Sequence, residues 1–373
     1  MSEQEIFYTM ALSRLSYLNL ATASQLVERM GSAEAVYEHR ADIATVLTDC
    51  SPRLVESLRT GWDAPLHHAA AEMEFMARHG VRALCKSDAD YPQRLRECDD
   101  APLVLFYRGS ASLNPPRVID IVGTRRSTPY GHDLIQRFVA DLRQLCPDVL
   151  IVSGLAYGID ICAHRAALAN GFDTVGVLAH GLDQLYPPRH RQTAVEMVSH
   201  GGLLTEFMTG ANADKKNFVR RNRIVAGMSD ATVLVESAAR GGGLITCRIA
   251  QSYNRSVFAF PGAVGAPYSE GCNQLIRDNG AALITSAADL VQALGWQPED
   301  VRPAVVEPSL FPDLSAEERR IVQLLQQHND VQLNILCVNT NLPIAHVASL
   351  LFQLEMKGLV KPMAGGTYHL TTI

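Results

Sequence analysis

The stretch Val118-Ile119-Asp120-Ile121-Val122-Gly123-Thr124-Arg125 places a short apolar run directly before a turn that contains glycine. The same pattern, an apolar run, a turn and then apolar residues at helical spacing, recurs for runs at 118–122, 149–152, 174–178, 202–204, 231–235, 256–260 and 281–284. Continuous Val, Ile and Leu runs that alternate with helices are typical of a parallel sheet buried on both faces. The sequence therefore predicts an α/β domain built on a mostly parallel sheet.

The regions on either side of this sheet predict smaller domains. Residues 1–65 carry apolar positions at helical spacing and are predicted to form a small helical domain, so the main domain covers 66–295. Its first helix is predicted to end at Gly80, before a short strand at 81–84. Four prolines in 296–313 indicate a linker. Beyond it, a capping box at Ser315 and Glu318, three short helices and a hairpin predict a winged-helix domain over 314–373.

Composition limits the classes of protein to consider. The chain has 373 residues, 47% of them apolar and 19% charged, and a net charge of −6, as expected for a globular protein that does not coat nucleic acid with its whole surface. The N-terminal residues lack a secretory pattern and no run of about 18 apolar residues occurs, so we expect a cytoplasmic protein without a membrane span. The eight cysteines lack metal-site spacing, and we predict core thiols, no metal and no cofactor.

Three glycine-bearing turns follow predicted strands. They contain Gly123 with Arg125, Gly154, and the run 240–246 with Gly242, Gly243 and Thr246. Because ligands of parallel sheets bind beyond the carboxyl ends of the strands, the turns predict one shared anion-binding face. The first turn alone also fits a tight strand-to-helix connection with solvated arginines. The second turn is neither a three-glycine dinucleotide fingerprint nor a Walker loop, which argues against ATP hydrolysis.

Two residues of the second turn and the helix after it, Asp160 and His164, are candidates for a catalytic role. Asp160 is explained equally well as a helix cap. His164 has no carboxylate partner in the sequence, so a packed or exposed histidine is a better interpretation than a catalytic one.

The segment Asn212–Ile224 holds five basic residues, one acid and Phe218, a local charge of +4 (five minus one). Basic side chains with an aromatic ring suit a groove that binds a phosphate backbone and stacks a base. A basic helix face with the ring buried beneath it is the alternative. The segment predicts one wall of the anion-binding site.

Seven blocks of sequence, in order, resemble the DNA-processing protein A (DprA/Smf) family. They are Val122-Gly123-Thr124-Arg125; Tyr130-Gly131; Ser153-Gly154-Leu155-Ala156 with Gly158-Ile159-Asp160 and Ala163-His164; Tyr186-Pro187-Pro188; Phe218 with Arg221-Asn222-Arg223-Ile224; Leu244-Ile245-Thr246; and Pro261-Gly262 with Gly271-Cys272-Asn273. Two positions depart from the family pattern: the third turn is Gly-Gly-Gly where Ser-Gly-Ser is usual, and Asn254 replaces a usual glycine.

The resemblance implies an extended Rossmann-like domain that binds single-stranded DNA, protects incoming strands during natural transformation and loads the RecA recombinase. It implies a homodimer and no catalytic reaction. Arg125, Lys215 and Phe218 are carried over as pocket residues, with Arg221, Asn222 and Arg223 nearby. Together with the turns, the predicted DNA-binding residues are Gly123, Arg125, Gly154, Lys215, Phe218, Arg221, Asn222, Arg223, Gly242, Gly243 and Thr246.

Two other hypotheses come from different classes. Related Rossmann-like proteins process nucleoside monophosphates with a glycine-rich loop followed by a glutamate, but here the loop lacks that glutamate. The other hypothesis is that the winged helix binds duplex DNA. The predicted recognition helix, 344–357, however, has one basic residue, Lys357. Helices that read a DNA groove usually carry more Arg, Lys and Asn, so protein–protein contact is favoured for this domain.

Overall fold

The computed structural model describes residues 1–46, 51–296, 314–328, 330–363 and 366–371. The chain divides into two compact units, Met1–Pro298 and Glu299–Ile373. Apart from Trp296, the predicted linker lies outside the described residues.

A nine-stranded sheet forms the centre of the first unit, in the order β1-β2-β6-β5-β4-β3-β7-β8-β9. The strands are β1 Arg82–Cys85, β2 Val104–Gly109, β3 Arg117–Val122, β4 Val149–Ser153, β5 Thr174–Val177, β6 Gly201–Thr205, β7 Ala231–Leu234, β8 Ser256–Ala259 and β9 Ala282–Leu283. From β6 to β9 all neighbours are parallel, which confirms the predicted α/β class. The predicted strands do not include β2, which pairs antiparallel with β1 and β6.

Strand β3 shows why the sheet forms. Val118 and Val122 belong to the hydrophobic core on one face, while Ile119 and Ile121 belong to the core on the other. Alternating side chains of one strand point to opposite faces, so an uninterrupted apolar run is buried on both sides. Asp120 is the exception within the strand: its Oδ1 accepts a hydrogen bond of 2.8 Å from Thr232, its partner on β7. Complete burial raises the pKa of Asp120 well above its usual range.

Fourteen α-helices of the first unit surround this sheet within the described residues. They are α1 Glu3–Leu12, α2 Leu20–Met30, α3 Ala33–Glu38, α4 Ile43–Val46, α5 Pro52–Thr60, α6 Asp63–His79, α7 Gln93–Arg96, α8 Pro129–Leu145, α9 Ile159–Ala169, α10 Arg191–Ser199, α11 Lys215–Gly227, α12 Gly242–Ser252, α13 Glu270–Arg277 and α14 Ala287–Ala293. Helix α6 ends at Gly80, whose φ of 63° is left-handed, as the sequence predicts for a glycine stop. Asn254, at the usual glycine position, has a φ of 56°, a conformation that Asn tolerates better than most residues.

The N-terminal helices begin at short polar caps: the side chains of Ser2, Asn19, Ser32 and Ser51 each accept a hydrogen bond from a first-turn amide. Their apolar faces share a core with Phe106 of β2 and Met208. This core extends across the predicted boundary at residue 65, and the division into separate domains there stays a prediction.

The second unit is a winged helix. It contains α15 Ala316–Gln327, β10 Val331–Gln332, α16 Leu333–Thr340, α17 Ile344–Met356, β11 Val360–Met363 and β12 Thr367–Leu370. The capping box forms as predicted, since Glu318 N donates to Ser315 Oγ at 3.1 Å and Ser315 N donates to Glu318 Oε2 at 2.7 Å. The three strands form an antiparallel sheet in the order β10-β12-β11.

Three global properties bear on function. In the described part of the chain, no single helix is long and apolar enough to cross a membrane, and one sharply bent pair, α16 and α17, meets the criteria of length and composition only. The described residues contain no cluster of three or more His, Cys, Asp or Glu side chains suited to a metal ion. The cysteines described are free thiols, and five of them are buried: Cys85, Cys98, Cys146, Cys247 and Cys272.

Candidate nucleic-acid interface

One cavity of about 560 Å³ lies at the carboxyl edge of the sheet. Its walls are the turns after β3, β4 and β7, together with helices α11 and α12. The structure brings together there all the predicted DNA-binding residues except Arg223: Gly123, Arg125, Gly154, Lys215, Phe218, Arg221, Asn222, Gly242, Gly243 and Thr246. Residues distant in sequence converge because the parallel strands end at the same edge.

The N-terminus of α12 forms one side of the cavity. Its N-cap residue is Gly241, which has no side chain to cap the first amides of the helix. At Gly242 an added Cβ would meet no atom within 4 Å, so a ligand can approach the backbone closely. Uncapped amides and the positive end of the helix dipole favour an anion, and a phosphate suits this position.

An aromatic ring and a cation lie together in the lining of the same cavity. The guanidinium carbon of Arg125 lies 4.7 Å from the centroid of the Phe218 ring. Tyr186 packs beside the same ring, with centroids 5.7 Å apart. Lys215, exposed, begins the helix that carries Phe218, and Asp214 caps it by accepting the amide of Asn217 at 2.7 Å. A cation fixed on a half-buried ring provides a charge for phosphate and a surface for a base.

Arg221 has a structural role in the wall of the cavity. Only 4% of the residue is exposed, and its Nη1 donates to the carbonyl of Gly154 at 2.6 Å and to that of Val177. Burial lowers the pKa of Arg221 to about 10, so the side chain stays cationic at neutral pH. An added Cβ at Gly154 would lie 2.2 Å from Nη1. A larger residue at 154 would therefore have to displace the guanidinium, which joins α11 to the ends of β4 and β5.

Arg223 lies outside the cavity, on another face of α11. Its Nη2 contacts Glu206 Oε2 at 2.5 Å, and its Nη1 donates to the carbonyl of Asp100. Arg220 contacts the same carboxylate oxygen at 2.7 Å. The five basic residues of the segment thus differ in their surroundings: Arg220 and Arg223 pair with Glu206, Arg221 supports a turn, Lys215 lines the cavity and Lys216 is exposed.

The cavity also includes residues that the sequence prediction left out. Arg240, exposed at the turn before α12, lines it, as do Thr124 and the buried Asp160. A signal for Arg240 exists in the sequence, because it directly precedes the three glycines. Arg255, which follows α12, instead donates to the carbonyl of Arg94 at 2.7 Å and does not line the cavity.

Two ionisable groups near the cavity, Asp160 and His164, form hydrogen bonds with other residues of the protein. Asp160 Oδ2 accepts the amide of Ala156 at 3.4 Å, and burial raises the pKa of Asp160 against the opposing charge of Arg221. His164 is fully buried, with its Nδ1 2.7 Å from Thr174 Oγ1. Burial lowers the pKa of His164 to about 3. The structure therefore packs His164 as a neutral core residue.

Acidification is expected to destabilise the fold through this histidine. The unfolded state takes up a proton near pH 6.5 while the folded state resists it down to a pKa of about 3, so stability is complete above pH 6.5 and falls below it. The loss between pH 6.5 and 4.5 should be about 2 kcal/mol. Urea unfolding at several pH values measures it. His164→Asn, with an amide nitrogen in place of Nδ1, should show a flatter pH dependence; equal slopes for both proteins would contradict the assignment.

A mostly parallel sheet with a glycine-lined, cationic cavity beyond the carboxyl ends of its strands defines a protein of the Rossmann-like α/β class, here with a winged helix in the same chain. The family model for DNA recombination-mediator protein A matches residues 82–295, and that for the DprA winged helix domain matches 305–366. The chain belongs to the DprA/Smf family of DNA recombination mediators.

Relatives support this over most of the chain. It is 34% identical over 364 residues to a putative DNA processing protein DprA of Mycobacterium tuberculosis, spanning 94% of this chain and 90% of that protein. The DNA processing protein DprA of Streptococcus pneumoniae is 38% identical over 204 residues, which cover 55% of this chain and 71% of the relative.

Two solved structures share the fold. The crystal structure of the Streptococcus pneumoniae protein superposes with a TM-score of 0.66 and 32% identity, covering 78% of this chain and 98% of the other. DNA processing protein A from Helicobacter pylori, a protein with a single-stranded DNA binding mode, superposes with a TM-score of 0.52 and 27% identity over 57% of this chain and 95% of its own.

Proposed function

We propose that the cavity binds single-stranded DNA without catalysing a reaction on it. The observation that carries the proposal is the contact of Arg125 with the Phe218 ring, inside a cavity where the N-terminus of α12 also opens. Lys215, Arg125 and Arg240 hold the phosphate backbone, and Phe218 stacks a base. Backbone charge and stacking are indifferent to sequence, which suits a protein that must accept any strand. The single-stranded DNA binding mode of the Helicobacter pylori relative supports the same assignment.

The cellular role that we propose follows from family membership. The protein acts in the cytoplasm, protects incoming strands during natural transformation and loads RecA onto them. A test is the rate of RecA filament formation on single-stranded DNA with and without the protein. The rate should rise with wild-type protein and stay at the RecA-only level with a variant that cannot bind the strand.

We also propose a homodimer formed through the α/β domain. Strand β9 is at the end of the sheet order, and Leu283 on it is 51% exposed. An apolar edge strand is a surface that a second copy can cover. Light scattering should give a dimer for the wild type and a monomer for Leu283→Glu. Val195→Glu, at a residue 64% exposed on α10, is the matched control and should remain a dimer.

Salt should weaken single-strand binding in proportion to the phosphates held. Each phosphate contact with a single strand contributes about −0.7 to the slope of log affinity against log salt concentration. Replacing Arg125 with glutamine is therefore expected to make the slope shallower by about 0.7 as well as lowering affinity. Fluorescence anisotropy across a salt series measures this. Arg59 is an exposed arginine on α5, and the control variant Arg59→Gln should leave the slope unchanged. If the Arg125 variant has the wild-type slope, Arg125 does not contact the phosphate backbone.

The winged-helix unit is proposed to contact protein and not duplex DNA. Lys357, just beyond α17, lies 2.7 Å from Glu318, so its charge is paired. The exposed side chains of α17 include Ile344, Phe352 and Met356. A chain shortened after Trp296 should keep whatever duplex affinity the whole protein has; loss of duplex binding alone would favour a DNA-reading role.

The alternative of nucleotide processing has a direct test. Among the described residues that line the cavity, Asp160 is the acidic one. It is buried, and its carboxylate accepts a hydrogen bond from the amide of Ala156. Incubation with a panel of nucleoside monophosphates should release neither base nor ribose phosphate. Turnover at a rate that depends on Asp160 would overturn the proposal of a non-catalytic binder.

A further inference from the structure

A second cavity, of about 500 Å³, lies beside the first and shares two loops with it. The connection between β3 and α8 contributes Arg125 to the first cavity and Thr128 to the second, and the connection after β7 contributes Ala238 to the first and Glu236 to the second. Thr128 is the third residue after Arg125, so their Cα atoms are at most about 11 Å apart. One DNA strand can therefore reach both cavities.

The second cavity is lined differently from the first. Most of its surface is apolar and comes from the segment Pro261–Ser269. Two aromatic rings line it: Tyr130, 41% exposed, and the half-buried Tyr268. The hydroxyl of Tyr130 donates to the carbonyl of Pro261 at 2.5 Å, which fixes its ring. Among the described residues of the lining there is no Lys or Arg. An apolar lining with two aromatic rings and no cation among its described residues suits a base and not a phosphate.

Glu236 is the charged side chain in this lining, and only 2% of the residue is exposed. Its Oε2 accepts the amide of Thr128 at 2.9 Å and its Oε1 accepts the Thr128 hydroxyl at 2.6 Å. An ionised carboxylate has about four lone-pair positions, so it retains capacity for further donors. An added Cβ at Gly131 would lie 2.2 Å from Oε2, which explains the glycine there.

We propose that this second cavity is a nucleobase subsite that prefers a base with an exocyclic amino group. The subsite rests on the proposed single-strand binding of the first cavity. The strand places one base against Phe218, crosses the β3–α8 connection and places another base against Tyr268. There the amino group of cytosine or adenine donates to Glu236. Thymine presents a carbonyl at the equivalent position and gains stacking alone. The carboxylate also repels phosphate, so the base enters and the backbone stays outside.

The test compares two oligonucleotides of equal length, oligo(dT) and one that alternates dT and dC, by fluorescence anisotropy with the full-length protein. The wild type should bind the alternating strand about tenfold more tightly. Tyr268→Ala should lower affinity for the alternating strand about tenfold, whereas Tyr268→Phe, which keeps the ring, should match the wild type. Glu236→Gln should bring the ratio of the two affinities close to one.

The outcomes separate this proposal from the one it rests on. If Phe218→Ala weakens oligo(dT) binding but the wild type binds both strands equally and Tyr268→Ala changes nothing, the second subsite is wrong and the first site stands. If Phe218→Ala has no effect on either strand, the first site is wrong. Circular dichroism of the Tyr268 variants confirms that any loss of affinity occurs in folded protein, and the Tyr268→Phe comparison remains informative if Glu236→Gln fails to fold.

Discussion

Replacing Phe218 with alanine is expected to weaken binding of oligo(dT) by roughly 5- to 150-fold at fixed salt. Stacking of a base on an aromatic ring contributes about 1–3 kcal/mol, and each 1.4 kcal/mol is a factor of ten in affinity. The substitution also removes the surface on which Arg125 lies, 4.7 Å from the ring centroid. Loss of this contact frees the guanidinium and adds to the effect. Fluorescence anisotropy titration gives the dissociation constant.

Two controls make this result specific. Phe218→Trp keeps an aromatic face and should bind within a few-fold of the wild type. Tyr17→Ala removes an aromatic side chain that is 68% exposed in the N-terminal helical region and should leave affinity unchanged. Because Phe218 is half-buried near the start of α11, its alanine variant should still fold cooperatively. An alanine variant with wild-type affinity would show that Phe218 is a packing residue of a basic helix face.

Replacing Arg223 with alanine is expected to destabilise the fold by about 3–5 kcal/mol, because it breaks a buried ion pair from one side. The side chains of Arg223 and Glu206 are 8% and 2% exposed, and their closest atoms are 2.5 Å apart. Glu206 Oε1 already has no hydrogen-bond partner among the described residues, so the carboxylate depends on the two arginines at Oε2. Denaturant unfolding measures the free energy, and the folded variant should bind oligo(dT) like the wild type.

Arg220→Ala is the matched control for this prediction. It removes the other arginine from the same oxygen, but the Arg220 side chain is 51% exposed. An exposed ion pair contributes about 0–1 kcal/mol, so the control should lose little stability. If Arg223→Ala instead kept its stability and lost DNA affinity, Arg223 would belong to the DNA interface after all.

The glycine turns show what a sequence of this kind reveals. Apolar runs such as 118–122 and 149–152 have no alternative to burial on both faces, so a parallel sheet follows from their length and spacing. Once the strands are parallel, Gly123, Gly154 and Gly242 must lie at one edge. Their convergence in one cavity was therefore within reach of sequence reasoning, and Arg240 was too.

Helix α11 shows where such reasoning ends. Helical periodicity separates Lys215, Phe218 and Asn222 from Arg220 and Arg223, but it does not tell which face meets the cavity. Which face of α11 meets the cavity depends on Glu206, which pairs with Arg220 and Arg223. Glu206 lies 14 and 17 residues before these arginines in the chain. The buried carboxylate of Glu206 pairs with two arginines that composition alone would assign to DNA binding.

The sequence by itself determined the α/β class, the position of the turns and the winged-helix pattern, because these depend on local spacing of apolar, glycine and capping residues. Only the tertiary structure decided which basic side chains line the cavity and which support the fold. Arg221 is the clearest case: its guanidinium donates to the carbonyls of Gly154 and Val177, which lie 67 and 44 residues earlier in the chain. The role of a basic side chain depends on the partners that packing places beside it, and the sequence does not show those partners. The same packing brings Glu236 and Tyr268 together in the lining of the second cavity.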